Sequence, residues 1–471
     1  MKTIMFVAPA SHSGKTTVTA GIIRALSRAG HQVRCLKTGP DYIDTAFLSK
    51  ASGMQAGNLD MHLMGISGMR RALQESFDLH GHNVNETAAK EPLCIIEGAM
   101  GYFDGIGNTY NNSSFDIGKK LGIPAVLIYS PKGEMFSAVP KIKGMVDFSE
   151  GMIKAVIFNN TSEKMYKMLS DALCSHTNLS VLGYIPLVSD AVFESRHLGL
   201  IQCRETERID EKIDAIASAV KKSIDLAGLR ACMPDIPSPL RYDTPYAPLS
   251  DLRSDRTDPA DGVNKRITVG IAYDEAFSFI YTENLRLFEK YCRTVFFSPL
   301  RDPHIPDCDL LYFPGGYPEV FAQDLSRNIS MRASIRSFAD NNGCVYGECG
   351  GLMYLTSEID GYPMAGVFNG KILITKTLQN FGYVQCTINR PCLIGTAGDV
   401  LSGHEFHRST ADISSPAVYT VRNTGNSTSW SCGYAYKNVF GAFAHIHFYD
   451  NMKAFHHMIG EAAKCKCDSS D

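Results

Sequence analysis

The chain has 471 residues, 44% hydrophobic and 20% charged, with 46 basic against 49 acidic side chains and a formal net charge of -3. This composition excludes a disordered, collagen-like or coiled-coil chain, and the length suffices for two or three packed cores. Balanced charge excludes a general polyanion binder, so neither nucleic acid nor an anionic membrane is an expected partner.

Residues 4–8 predict a strand, too short and too early interrupted for a signal peptide. Val18, Ile22, Ala25 and Leu26 then recur at helical spacing. Apolar runs at 33–36, 93–96, 125–129 and 155–158 each stand beside a helical stretch or a Gly/Pro/Asn turn. That alternation predicts a parallel sheet covered on both faces. Residues 233–266 carry Pro234, Pro237, Pro239, Pro245, Pro248 and Pro259 among many Asp, Ser and Arg, and read as a linker. Runs at 267–272, 295–297, 310–313 and 344–346 restart the α/β pattern. The expected organisation is a first unit 1–232, a linker 233–266, a second unit 267–464 and a tail 465–471. Cys465 and Cys467 in that tail read as a frayed terminus rather than a metal site. The 14 cysteines lack scaffold spacing, which fits a reducing cytoplasm. No run has the length of a membrane span.

Two stretches carry chemistry. The first is Ala8-Pro9-Ala10-Ser11-His12-Ser13-Gly14-Lys15-Thr16-Thr17, between a strand and a helix. Ser13, Gly14, Lys15, Thr16 and Thr17 are expected to form a phosphate cradle: backbone amides and the helix dipole would receive phosphate oxygens, and Lys15 would reach the β- and γ-phosphates of a nucleotide. Pro9 replaces the usual first glycine. Thr16 is placed to ligate Mg²⁺, with Asp41, Asp44 and Glu97 as carboxylate candidates near strand ends.

The second is Gly347-Glu348-Cys349-Gly350-Gly351, a strand turning sharply into a helix. Such an elbow pushes Cys349 out as a nucleophile. The helix N-terminus is expected to lower the thiol pKa. Gly350, and Gly316 in the loop after 310–313, are the expected oxyanion-hole donors. His445 and His447 are both candidates for the base; two apart on a strand, they are expected to face the same side.

The order of these motifs is similar to that of the cobyrinate a,c-diamide synthase family, whose relatives act on hydrogenobyrinate or nickel-sirohydrochlorin. The stretches that carry the resemblance include Ser13-Gly14-Lys15-Thr16-Thr17, Gly39-Pro40-Asp41-Tyr42-Ile43-Asp44, Asn58-Leu59-Asp60, Glu97-Gly98-Ala99-Met100-Gly101 and Ser195-Arg196-His197-Leu198-Gly199-Leu200. In the second half they are Pro314-Gly315-Gly316-Tyr317-Pro318-Glu319, Glu348-Cys349-Gly350-Gly351-Leu352-Met353-Tyr354-Leu355 and Gly403-His404-Glu405-Phe406-His407. The resemblance implies an N-terminal P-loop domain like dethiobiotin synthetase and a C-terminal class I glutamine amidotransferase-like α/β domain. It further implies ATP, glutamine and a tetrapyrrole polycarboxylate as ligands, Mg²⁺ as cofactor, and a homodimer as one option for assembly. The a and c acetates of the tetrapyrrole would be activated as acyl phosphates and then amidated. Tyr42, Asp60, Arg196 and His197 become substrate candidates, and His445 the favoured base, with His447 where amidotransferases of this class carry glutamate. Thr45, Leu48, Gly57, Ser130 and Arg408 depart from the family pattern and leave the tetrapyrrole acid open. A partition-type regulatory ATPase, which shares the Lys-Thr-Thr loop, is the reading from another class.

Overall fold

The structure, a computed structural model, describes residues 1–78, 90–189, 195–196, 199–200, 208–236 and 267–468. The chain divides into two units, one of residues 1–61 and 65–242, the other of 62–64 and 243–471.

The first unit is built on seven strands: β1 (Lys2–Val7), β2 (His31–Thr38), β3 (Gly57–Leu59), β4 (Lys90–Glu97), β5 (Ala125–Tyr129), β6 (Ile153–Asn159) and β7 (Ser180–Ile185). Their order is β3-β2-β4-β1-β5-β6-β7 and every pairing is parallel. Strands buried on both faces need apolar side chains at successive positions, and Ile4, Met5 and Phe6 or Leu93 to Ile96 meet that demand with no exposure. Phe6 of β1 lies opposite Glu97 of β4 on one side and Val126 of β5 on the other. Strand order reverses at β1, so the crevice beyond its carboxyl end is where such sheets bind ligands. Helix α1 (Lys15–Arg28) starts there and buries Val18, Ile22, Ala25 and Leu26, the residues of the helical spacing. Helix Ile209–Ser223 packs so close that a Cβ on Gly21 would fall 2.3 Å from Ile216 Cγ2. Arg24 Nη1 ties the two helices through Asp214 at 3.0 Å.

The second unit holds a six-stranded sheet. Arg293–Phe297, Thr268–Ala272, Leu310–Phe313, Cys344–Glu348 and Val439–Ala442 run parallel, and Tyr434–Tyr436 adds an antiparallel edge. A five-stranded antiparallel sheet accompanies it, in the order Ser429–Cys432, Tyr419–Asn423, Asn380–Ile388, Val400–His407 and His445–Ile446.

Two expected boundaries shift. Residues 233–236 belong with the first core: Met233 is 3% exposed, and Thr3 donates its amide to the Pro234 carbonyl at 3.1 Å. The rest of the proline-rich stretch lies outside the described residues. The tail is not frayed at Cys465, because helix Met452–Asp468 continues through it and sets Cys465 Sγ 3.4 Å from Cys344 Sγ.

Candidate active site

The loop between β1 and α1 turns at Gly14, with φ 83°. A side chain there would be strained, and a Cβ would fall 2.2 Å from Asn159 Nδ2. Asn159 closes β6 and donates Nδ2 to the Ser13 carbonyl at 3.0 Å, which ties the loop down. Ser13 Oγ donates to the Ala10 carbonyl at 2.8 Å, and Thr17 sits in the first turn of α1. Lys15 folds back over the loop, donating Nζ to the carbonyls of Ala10 (3.2 Å) and Met100. Burial, and then the charge of Lys37, lowers its pKa to about 8. A cavity of about 650 Å³ opens beside this loop, lined among others by Pro9, Ser13, Phe103, Tyr129 and Lys141.

Behind the loop, the ends of β2 and β4 and the first turns of two helices bring polar and charged groups together. Thr16 Oγ1 donates to Glu97 Oε1 at 2.7 Å. Lys37 Nζ donates to the same oxygen at 2.8 Å and to Asp44 Oδ2 at 2.7 Å. Burial alone would neutralise Lys37, but the charges of Asp44 and Glu97 outweigh it and hold the ammonium. Burial pushes Glu97 up; it would do the same to Asp44, but the Lys37 charge and hydrogen bond keep Asp44 low. Glu97 Oε2 is buried without a hydrogen-bond partner. Asp41 serves the loop instead, since its Oδ1 accepts the amides of Ile43 and Asp44, both at 2.9 Å, and caps helix α2 (Ile43–Ser52). Asn58 Nδ2 fastens the same loop through the carbonyls of Gly39 (2.9 Å) and Asp41 (3.0 Å). Tyr42 lies in this loop, and Asp60 is buried just after β3. Arg196 lies on the two-residue strand Ser195–Arg196, paired with Gly199–Leu200, where only the backbone is described; His197 lies outside the described residues.

In the second unit, Cys349 joins strand Cys344–Glu348 to helix Gly350–Leu355 with φ 47° and ψ -102°. Positive φ at a residue with a Cβ costs about 1–3 kcal/mol and is the signature of an elbow. Small neighbours are obligatory: a Cβ on Gly351 would fall 2.1 Å from the Phe313 carbonyl oxygen, and one on Gly350 3.0 Å from the Gly316 amide nitrogen. Gly316 and Gly350, the two expected oxyanion donors, are therefore neighbours. The His445 ring lies over the same loop, its Cε1 2.3 Å from where a Gly315 Cβ would be. His445 Nδ1 is 3.9 Å from Glu348 Oε2. His447 faces elsewhere: its Nε2 is 3.6 Å from Glu283 Oε2, and its Nδ1 accepts the Tyr449 amide at 3.3 Å. The shared face expected for the two histidines fails because the strand ends at Ile446.

The expectation of a low thiol pKa also needs correcting. Cys349 is 6% exposed; burial, then the charges of Glu319 and Glu405, push its thiol well above the ordinary range. The helix it caps has only six residues and a weak field. Burial lowers His445 to about 3, with the charges of His404 and His407 adding to it. Burial thus disfavours the charged form of both side chains.

Residues 268–453 match the family model of the CobB/CobQ-like glutamine amidotransferase domain, and residues 2–195 match that of an AAA domain. Cobyrinate a,c-diamide synthases of Clostridium tetani, Clostridium acetobutylicum and Streptococcus sanguinis are 37%, 35% and 36% identical to the chain. These alignments cover 96%, 98% and 96% of this chain and 98%, 100% and 97% of the relatives. The chain belongs to the cobyrinate a,c-diamide synthase family. It is a glutamine-hydrolysing ligase, with a P-loop domain ahead of a glutamine amidotransferase domain. The amidotransferase match removes the partition-type ATPase as a reading of the whole chain. No helix among the described residues is long and apolar enough to cross a membrane.

Three polar residues of this family member escaped sequence reasoning. Lys37 closes the apolar run 33–36, and a charge at that point was the available signal. Asn159 ends the run 155–158 in the same way. Glu348 stood inside the elbow motif but was overshadowed by Cys349.

Proposed function

We propose that the chain amidates the a and c acetate carboxylates of cobyrinate, using ATP and glutamine. A carboxylate is a poor acceptor for ammonia until its oxygen is made a leaving group. Lys15 in the phosphate loop would draw charge from the transferring phosphoryl group, and Lys37 would orient its oxygens. The acyl phosphate so formed would take ammonia and release phosphate. Thr16, Asp44 and Glu97 suit a divalent cation: both carboxylates already converge on one positive charge, and Glu97 Oε2 is buried and unpartnered. They would hold Mg²⁺, which supplies further charge neutralisation at the phosphates. Tyr42, Asp60, Arg196 and His197 remain the proposed substrate contacts.

Ammonia would come from glutamine, cleaved at Cys349. Its thiol gives a proton to His445 as sulfur attacks the glutamine carboxamide, the amides of Gly316 and Gly350 receive the oxyanion, and His445 returns the proton to the departing ammonia. His447, turned onto Glu283, has no part in this. Residence in the cytoplasm, assembly as a homodimer and the absence of nucleic-acid or membrane partners belong to the same reading.

The observation that carries the proposal is the presence in one chain of a lysine-lined phosphate loop and a cysteine elbow, in a family of that name. The test offers cobyrinate, hydrogenobyrinate and nickel-sirohydrochlorin separately with ATP and glutamine, and weighs the products by mass spectrometry. Two amides on cobyrinate are expected. Conversion of another acid alone would keep the chemistry and change the substrate; conversion of none would reject both.

A further inference from the structure

We propose that Glu348 is the positioning carboxylate of the glutamine site, holding the His445 ring in the orientation that accepts the Cys349 proton. The inference rests on the reading of Cys349 as nucleophile and His445 as base. In nucleophile–histidine pairs a third group fixes the ring and stabilises the imidazolium that forms. The residue two beyond His445 cannot serve, because it is another histidine and is committed to Glu283 and the Tyr449 amide.

Glu348 fits this role by position and by support. It immediately precedes Cys349 and its Oε2 is 3.9 Å from His445 Nδ1. Catalytic hydrogen bonds are often long before substrate binds and shorten in the complex. Three bonds fix the carboxylate: Tyr312 Oη donates to Oε2 at 2.8 Å, Tyr346 Oη to Oε1 at 2.5 Å, and the Ile446 amide to Oε1 at 3.1 Å. The two tyrosine rings stack with centroids 5.4 Å apart and 11° between planes, so this support is rigid. The Ile446 bond matters most. It joins the segment before the nucleophile directly to the strand that carries the base.

On this reading Glu348 holds Nδ1 and Nε2 takes the thiol proton. The S–H bond breaks as the S–C bond to the carboxamide carbon forms, and the proton goes to Nε2. It then leaves with ammonia as the C–N bond breaks. Glu348 takes no proton; its charge steadies the imidazolium between the two transfers. The charges of His404 and His407, on the neighbouring strand, also act on His445.

The test uses the full chain. Glu348→Gln should cut the glutamine-dependent kcat by about 10²–10⁴-fold, as loss of an orienting carboxylate does. The KM for glutamine should stay within about threefold, and amidation driven by added ammonia should be unchanged. Burial pushes Glu348 up to about 7, so the wild-type glutamine-dependent rate should fall as pH drops through that value. Glu348→Gln should lack this limb, and Glu348→Asp should restore the limb with part of the rate. Tyr346→Phe, a milder change, removes a bond that holds the carboxylate ionised and should move the limb to higher pH. If Glu348→Gln keeps near wild-type kcat and pH profile, Glu348 only satisfies two tyrosines and the inference falls. If Glu348→Gln does not fold, an unmoved limb in Tyr346→Phe overturns it as well. His445→Ala, run in parallel, tests the underlying reading: full glutaminase activity there would remove the base itself.

Discussion

Lys15 and Cys349 show how burial sets the resting charge of a functional side chain. With a pKa lowered to about 8, Lys15 is a cation at pH 6 and partly neutral above pH 8. Its folded value lies below its unfolded one, so charging it costs stability below that pH, and bound phosphate relieves the cost. ATP binding should therefore take up a proton fraction at pH 8 and almost none at pH 6. Calorimetry in buffers of different ionisation enthalpy measures this, and equal uptake at both values would contradict it. Cys349 makes the reverse prediction. As a buried thiol it should react with iodoacetamide at pH 7 no faster than free cysteine when glutamine is absent. Labelling at about tenfold the free rate would restore the low-pKa thiolate that the sequence alone suggested.

The same two sites explain why particular elements tolerate so little change. Gly14→Ala would strain a left-handed residue and push a Cβ into Asn159, so nucleotide affinity should fall at least about tenfold while the fold persists. Gly21→Val attacks the packing of α1 instead. Its side chain meets Ile216, and overpacking of this kind costs about 1–3 kcal/mol, read as a lower Tm with ATP affinity little changed. Elements of the parallel sheets were legible because strands buried on both faces need unbroken apolar runs. Strand Val400–His407 was not: its buried positions include Gly403, Glu405 and His407, so no apolar alternation reached the sequence. The end of helix Met452–Asp468 was hidden for a related reason. Its Cys465 gains a partner, Cys344, only through the fold.

At the scale of the whole molecule, motif order identified both chemistries, whereas the groups that arrange them came from three dimensions. Cys349, His445, Gly316 and Gly350 stood in readable motifs. The face taken by His447, the capping of α2 by Asp41 and the bridging of Asp44 and Glu97 by Lys37 depend on where strands end. No charge excess draws polyanions to this chain, so on the proposed reading the recognition of ATP rests on local groups such as Lys15. The central claim is a division of labour: one unit frees ammonia from glutamine and the other activates a carboxylate with ATP. The most direct test is amide formation on cobyrinate by Cys349→Ala, measured with glutamine and with ammonium chloride as alternative nitrogen sources. The account predicts no product with glutamine and near wild-type product with ammonia. Loss of both, in a variant that still folds and binds ATP, would contradict it.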